Sequence, residues 1–192
     1  MAILTLNQAI TVINDPTSQD VQDIYQLIGN INYKDENYPM AVMYFKKRIQ
    51  ARGQNADAND YYFLGLAQYN NKQYQGADSS FAMITKSNPD LALGYQWRGR
   101  SNSLIDSTQS LAKPYYEQYI QKVGNDTIRN KAGLIEAYSQ LGYYYVLKKD
   151  KENASINYKK VLSMDPDNAN AKAYFESLKP RPAPKSTQGK TK

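Results

Sequence analysis

The stretch from Tyr61 to Pro89, YYFLGLAQYNNKQYQGADSSFAMITKSNP, decides the fold, because its landmarks return elsewhere in the chain. These landmarks are Tyr61-x2-Leu64-Gly65-x8-Tyr74-x2-Ala77-x3-Phe81-x7-Pro89. A second unit with the same spacings from Gly to Ala, Ala to aromatic and aromatic to Pro reads Tyr138-x2-Leu141-Gly142-x11-Ala154-x3-Tyr158-x7-Pro166. Self-similarity of this kind is typical of repeat architectures, in which each unit is one supersecondary element.

Two further units carry the same pattern with departures. One lacks only the closing proline and reads Tyr25-x2-Ile28-Gly29-x11-Ala41-x3-Phe45. The other has one extra residue, and an Arg in place of Leu, in Tyr95-x2-Arg98-Gly99-x12-Ala112-x3-Tyr116. A Gly inside a helix destabilises it by about 1 kcal/mol relative to Ala. A Gly that recurs in every unit therefore indicates that two helices approach closely at this position, with the landmark Ala of the second helix as the small residue opposite. We expect the aromatic after each Ala to fill the seam with the next repeat.

This pattern resembles the tetratricopeptide repeat (TPR), and the resemblance covers roughly residues 22 to 168. It implies an all-α fold, an α-solenoid that winds as a right-handed superhelix of about four helix pairs. The run from Trp97 to Arg100, together with residues 112–117, is also similar to repeat proteins common in Bacteroidetes. We predict first helices near 22–35, 58–71, 92–104 and 132–148, and second helices near 38–52, 74–87, 111–123 and 151–164. Pro114 predicts a late start or a kink in its helix.

The two ends of the chain are expected to differ from the solenoid. Residues 1–16, with an apolar face of Ile3, Leu6, Ile10 and Ile13, are predicted to form the second helix of a truncated preceding repeat. Residues 17–178 form the solenoid, closed by a capping helix over 169–178. Residues 179–192 contain five basic residues, no acid and three prolines, and are predicted to be a disordered basic tail.

Composition argues against catalysis. The chain has no Cys and no His, which removes disulfides, the usual zinc ligands and an imidazole base. The glycines are isolated, so no phosphate-binding loop is present, and Asp35 and Glu36 are interpreted as solvated turn residues. We therefore predict no enzymatic activity, no cofactor and no metal site. An apolar run near the roughly 20 residues of a membrane-spanning helix is also absent from the sequence.

The net charge of +6 arises mostly at the C-terminal end. Of the 24 basic residues, five lie at or after Lys179, which leaves 19 against 18 acidic residues in the remainder. No aromatic residue is interleaved with the five, so there is no platform on which bases could stack. We predict no nucleic-acid binding and interpret the segment as a solubilising tail or linker.

The first helices of stacked pairs line the inner wall of the superhelix. By "inner wall" we mean the stripes Asp23, Gln26, Asn30, Tyr33; Asn59, Tyr62, Leu66, Tyr69; Leu93, Gln96, Arg100, Ser103; and Glu136, Ser139, Tyr143, Val146, with Trp97 beside them. Amides can pair with an extended backbone, Tyr and Trp offer rigid apolar area, and Arg100 could pair with a carboxylate. The chain is thus predicted to be a non-catalytic scaffold for a protein or peptide, with the contact residues Asn30, Tyr33, Tyr62, Tyr69, Gln96, Trp97, Arg100 and Tyr143.

Packing interpretations stay open beside these contacts. Tyr62, Tyr69 and Trp97 could instead belong to the core between repeats, Arg100 could pair internally with Asp106 or Glu136, and Asn30 could be an ordinary exposed residue. One TPR subclass grips a terminal carboxylate with inward lysines and asparagines. Asn30 matches one such position, but Gln26 stands where a lysine would be, so we do not expect that mode here.

An oligomerisation or assembly module of a larger cell-envelope protein is the alternative function. A truncated N-terminal half-repeat would expose an apolar face, which could form a homodimer. The compartment is expected to be the bacterial periplasm or cell envelope rather than the cytoplasm, from the resemblance to Bacteroidetes repeat proteins, the high Tyr and Asn content and the lack of cysteine.

Overall fold

The computed structural model describes residues 2–179, and in that range the chain forms ten α-helices and no strand. The helices are α1 (Ala2–Ile13), α2 (Gln19–Lys34), α3 (Tyr38–Arg52), α4 (Ala58–Asn70), α5 (Tyr74–Ser87), α6 (Ala92–Ile105), α7 (Lys113–Val123), α8 (Lys131–Leu147), α9 (Lys151–Met164) and α10 (Ala169–Ser177). A 3-10 turn, Gly53–Asn55, follows α3. Of the predicted tail, only Lys179 lies within the described residues.

Each helix packs against the next one along the chain, as expected for stacked helix pairs. The first helices of the four pairs are α2, α4, α6 and α8, and their second helices are α3, α5, α7 and α9. The predicted α-solenoid is confirmed. The predicted boundaries of these eight helices lie within three residues of those observed. A proline is tolerated in the first turn of a helix, because the N–H that it lacks would have no helical partner there. Accordingly α7 begins at Lys113, immediately before Pro114, which is two residues later than predicted.

Three of the four turns within pairs share one geometry. Glu36, Lys72 and Lys149 each adopt a positive φ, of 58°, 59° and 59°. The residue after each donates its backbone N–H back into the preceding helix, for example Gln73 to the Gln68 carbonyl at 2.8 Å. These bonds satisfy carbonyls that a helix end would otherwise leave unpaired. The third pair differs, because residues 106–112 form a longer connection between α6 and α7.

At each recurring glycine, the space that a Cβ would fill is occupied by an aromatic ring of the same repeat. A Cβ added at Gly65 would lie 2.6 Å from Cε1 of Phe81, and one added at Gly29 would meet the Phe45 ring just as closely. Tyr116 covers Gly99 and Tyr158 covers Gly142 in the same way. The sequence interpretation placed small residues opposite each other at the helix crossing. The structure adds that the space left by each glycine is filled by the ring one turn beyond the alanine.

The same rings also reach the next repeat, which confirms the expected seam in the first two units. Phe45 stacks on Phe63 of α4 with ring centroids 5.8 Å apart, and Phe81 stacks on Trp97 of α6 at 5.3 Å. Phe45 and Phe81 are both buried. One aromatic side chain therefore sets both the distance between the two helices of its own pair and the distance to the first helix of the following pair.

The N-terminal helix does not expose the apolar face that the sequence suggested. Its four patterned residues pack against a core of Val21, Tyr25, Ile28 and Tyr44. The Tyr44 hydroxyl also donates to Oδ1 of Asn7 at 3.0 Å. The large apolar side chains that α1 leaves exposed are Leu4 and Val12, at 65% and 84%. The face proposed for homodimerisation is thus already covered by α2 and α3.

Two ion-pair networks, which no pattern in the sequence predicted, link consecutive helix pairs. Asp60 of α4, whose side chain is 1% exposed, accepts hydrogen bonds from Nε of Arg48 at 2.7 Å and lies 3.0 Å from Nε of Arg52. Arg98, the residue that departs from the repeat pattern, donates to Asp78 at 2.8 Å and to the Tyr115 hydroxyl at 2.7 Å. A leucine at this position could not make these bonds.

We expect Gly65→Ala to lower the free energy of unfolding by about 1–2 kcal/mol, because overpacking against Phe81 outweighs the gain in helix propensity. Gly76→Ala is the comparison variant with a smaller expected loss, since its new Cβ would meet the amide end of Gln68, Nε2 at 2.9 Å, instead of a buried aromatic ring. Urea unfolding followed by circular dichroism measures both. Equal stability of Gly65→Ala and the wild type would contradict the close contact.

Candidate functional site

The middle of the inner wall is an aromatic cluster shared by α4 and α6. Trp97 lies edge-on to Tyr69, with ring centroids 5.3 Å apart, and to Tyr62 at 6.4 Å, and it also stacks on Phe81. Tyr62, Tyr69 and Trp97 are each half-buried. The structure therefore brings these three predicted residues together, and each combines a packing role with a partly exposed surface. Burial raises the pKa of the Tyr69 hydroxyl.

Arg100 is not a free cation. Its guanidinium lies over the Trp97 ring, 4.4 Å from the centroid, and binds Glu136 of α8 through Nε at 2.7 Å and Nη2 at 2.5 Å. Of the two internal partners considered from the sequence, Glu136 is the observed one. Asp106 instead accepts hydrogen bonds from Thr108 and the Leu111 backbone. The hydrogen bond to Glu136 raises the pKa of Arg100.

The Glu136 carboxylate accepts two more hydrogen bonds. Nε2 of Gln96 donates to Oε2 at 3.0 Å, and the Tyr116 hydroxyl donates to Oε1 at 3.2 Å. Gln96 is 9% exposed and its amide nitrogen is hydrogen-bonded inside the protein, so little of this predicted contact residue is accessible to a partner. The carboxylate thus ties three helices together, because its donors come from α6 and α7.

The N-terminal end of the inner wall is more open. Asn30 is exposed and accepts a hydrogen bond from Nε2 of Gln26 at 3.1 Å. Tyr33 is half-buried, packs edge-on against Tyr38 and accepts a hydrogen bond from Nδ2 of Asn70 at 2.9 Å. Burial raises the pKa of Tyr33. These two residues lie on α2, whereas the Trp97 cluster is carried by α4 and α6.

The C-terminal end of the inner wall is a cleft of about 650 Å³ between α6, α8 and α10. Tyr143, which is 45% exposed, is the predicted residue that lines it. None of the described residues that line the cleft carries a charge: they are Ser103, Leu104, Gln109, Ser139, Gln140, Tyr143, Val146, Tyr158, Asn170, Ala173, Tyr174 and Ser177. The residue pattern of α10 predicted only a helix that covers the last repeat, and did not indicate that α10 lines this cleft.

Residues 2–179 contain no group of three or more carboxylate, His or Cys side chains positioned to hold a metal ion. No helix in this part of the chain is both long enough and apolar enough to cross a membrane.

Comparison with known proteins agrees with this geometry. The family model described as tetratricopeptide repeat matches residues 135–168. The crystal structure of the C-terminal part of a TPR repeat-containing protein from Cytophaga hutchinsonii is 37% identical over 93% of this chain, with a TM-score of 0.80. This chain is a tetratricopeptide-repeat protein. It spans 66% of the length of the Cytophaga chain.

Two more distant structures share the fold. YrrB, a TPR protein with an unusual peptide-binding site, is 18% identical, with a TM-score of 0.71 over 91% of this chain and 82% of its own. MamA is 21% identical, with a TM-score of 0.67 over 81% of both chains. No curated protein sequence matches this TPR chain. TPR proteins are generally non-catalytic scaffolds that bind peptides or proteins.

In this TPR protein, we expect Asp60→Asn to destabilise more than Glu136→Gln. Asp60→Asn removes a buried charge beside Arg48, whose side chain is 10% exposed, whereas the side chains of Arg100 and Glu136 are 30% and 23% exposed. The expected losses are about 3 kcal/mol and about 1 kcal/mol. Chemical denaturation of both variants measures them, and equal losses would contradict this ranking.

Alkaline pH should destabilise this TPR protein through its buried tyrosines. Burial raises the pKa of Tyr116 above its ordinary value, as it does for Tyr119 and Tyr158. A tyrosine whose pKa is higher in the folded than in the unfolded state contributes its full stabilisation at pH values below its unfolded-state pKa. This contribution is lost as pH rises above about 10. Tyr116→Phe should flatten the fall of unfolding free energy with pH. Unfolding curves across this range measure the slope, and an unchanged slope would refute the assignment.

Proposed function

We propose that this chain is a non-catalytic scaffold that holds an extended peptide segment of a protein partner along its inner wall. The path runs from Tyr33, past the Tyr62–Tyr69–Trp97 cluster, to the cleft at Tyr143. The observation that carries the proposal is the half-exposed Trp97 cluster, in which the Trp97 ring is fixed by its stack on Phe81 and by the Arg100 guanidinium over it. Rigid, partly exposed aromatic side chains are the residue class that dominates binding energy at protein interfaces.

The charges of the inner wall limit the kind of partner. Arg100 is neutralised by Glu136, and the inner-wall stripes contain no lysine. A terminal carboxylate or an acidic peptide would therefore have to displace a bidentate internal pair. The exposed groups that remain are the Asp23 carboxylate, amides, hydroxyls, aromatic rings and the aliphatic side chains of Leu93 and Val146. We infer a partner segment that is extended, neutral or basic, and rich in apolar or proline side chains.

The fold itself supports this proposal. YrrB has the same fold and is described as having a peptide-binding site, although its low identity brings no site residue to this chain. In the present chain, the inner wall is prearranged by internal contacts. Because fewer side chains need to be ordered on binding, the entropic cost of association is reduced.

The test is selection of peptides from a random display library against the full chain, followed by affinity measurement for variants. We expect Tyr143→Ala and Tyr62→Ala to weaken binding of selected peptides about tenfold each, the loss of one contact worth about 1.4 kcal/mol. Ile156→Ala, on α9 and 50% exposed, is the control and should bind as the wild type does.

Thermal unfolding of each variant checks that the fold is retained, since Tyr62 also touches Phe63 and Phe81. Tyr143 is free of this concern because it is exposed. Selected peptides that bind Tyr143→Ala and Tyr62→Ala as tightly as the wild type would overturn the inner-wall proposal.

A further inference from the structure

Gln109 places a buried acceptor at the C-terminal cleft. It lines the cleft, is 6% exposed, and its Oε1 atom is buried without a hydrogen-bond partner among the described residues. Its Nε2 atom donates to the Ser103 carbonyl at 3.1 Å and to the Asp106 carbonyl at 3.4 Å. Rotating the amide by half a turn would set Oε1 against these two oxygens, so the amide stays in the observed orientation. An unpaired buried acceptor is unfavourable, so the cleft favours an occupant that brings a donor.

This acceptor is specific to the third helix pair. Gln109 belongs to the longer connection 106–112 between α6 and α7, whereas α2, α4 and α8 are each followed by a three-residue turn. Its backbone has a φ of 60° and donates to the Asp106 carbonyl at 3.0 Å. The position of the side chain is therefore set by a departure from the repeat pattern and is not shared by the other pairs.

Other groups of the cleft are also free to bind. The side chains of Ser139, Gln140, Tyr143 and Asn170 line it, and none of them hydrogen-bonds to another residue in the part of the chain that the structure describes. Their hydroxyl and amide groups can donate as well as accept. The cleft thus presents several unused hydrogen-bonding groups around one buried acceptor.

The lining disfavours three classes of side chain. None of the described lining residues is charged, so a cation or an anion would find no counter-ion there. A carboxylate would also bring an acceptor to the acceptor of Gln109. An apolar side chain would leave that acceptor unpaired. A primary amide avoids these penalties, because it is neutral, donates two hydrogen bonds and accepts others, and it brings one more donor than a hydroxyl does.

We propose that the C-terminal cleft binds the primary amide of an Asn or Gln side chain carried by the partner segment. The amide nitrogen donates to Oε1 of Gln109, and the amide oxygen accepts from a lining group such as the Ser139 hydroxyl. A site that is built around hydrogen bonds rejects a ligand of the same shape that lacks them. This contact therefore selects the sequence of the partner, in addition to its extended conformation.

The amide reaches Oε1 after a small local motion, because this atom lies below the surface of the cleft in the unbound chain. Leu104 and Tyr143 line the cleft and are 50% and 45% exposed, so both have room to rotate. Exposed side chains change rotamer within picoseconds to nanoseconds. Such a motion leaves the helices in place.

That the amide belongs to a peptide rests on the proposed function. The preference of the cleft for an amide does not rest on it. This preference can be measured with single blocked amino acids, which are too small to span the inner wall.

NMR titration of the full chain with N-acetylglutamine methylamide tests the preference. The matched probes are the methionine and glutamate compounds, which have nearly the same length and the same two backbone amides. We expect the glutamine probe to shift the side-chain amide signals of Gln109 and the backbone amide signal of Ser139. It should bind about tenfold more tightly than either matched probe. The amide of Gln50 on α3 should not shift.

The variant Gln109→Met removes the acceptor and keeps an unbranched side chain of similar length. It should bind the glutamine and methionine probes equally. Gln121→Met, the same change at an exposed position of α7, is the control and should keep the preference. Thermal unfolding checks the fold of both variants. The comparison of the three probes on the wild type decides the question even if Gln109→Met fails to fold.

Three results on the wild type would overturn the inference. Equal binding of the three probes would indicate a cleft that holds backbone or apolar groups without selection. Tighter binding of the glutamate probe would indicate an anion site. No shift at Gln109 and Ser139 would indicate a cleft filled by water alone. Library peptides that depend on Tyr62 but show no Asn or Gln preference would also overturn it and would leave the proposed function standing, so the two proposals fail separately.

Discussion

The contact between a helical glycine and the aromatic ring of its partner helix sets the spacing of the whole solenoid. At Gly29, Gly65, Gly99 and Gly142, the missing Cβ leaves the space that a Phe or Tyr occupies. Each helix pair can therefore approach more closely than a pair with alanine at this position. In the first two units the same ring stacks on the next first helix, so the spacing passes from one repeat to the next. Nearest-neighbour contacts of this kind dominate the stability of repeat proteins.

The inner wall inherits its rigidity from these packed rings. Trp97 stacks on Phe81, which in turn covers Gly65, so a residue that forms part of the wall is fixed by the core of the preceding pair. The sequence could not separate a core role from a binding role for Trp97, because the ring stacks on Phe81 and also remains partly exposed. A surface held in this way needs little reordering to receive a ligand. The cluster is thus suited to binding an extended segment without a change in the fold.

The third repeat departs from the pattern where charged residues connect it to its neighbours. Arg98 replaces an apolar residue and pairs with Asp78 of the preceding pair, while Arg100 pairs with Glu136 of the following one. The longer connection after α6 carries Gln109, which lines the C-terminal cleft. In the third repeat, ion pairs thus replace part of the apolar packing between neighbouring repeats. They also leave polar side chains along the C-terminal half of the inner wall.

The sequence by itself determined the helix pairs, their boundaries and the register of glycine and aromatic residues. These features depend on spacings of three, four and twelve residues, which local geometry converts directly into faces of a helix. It could not choose between Asp106 and Glu136 as the partner of Arg100, because that choice depends on how α6 and α8 are placed in space. Nor could it reveal the burial of Asp60 or the part that α10 takes in the cleft. Only the tertiary structure decided these points, since each joins side chains from different helices whose distance no local pattern records.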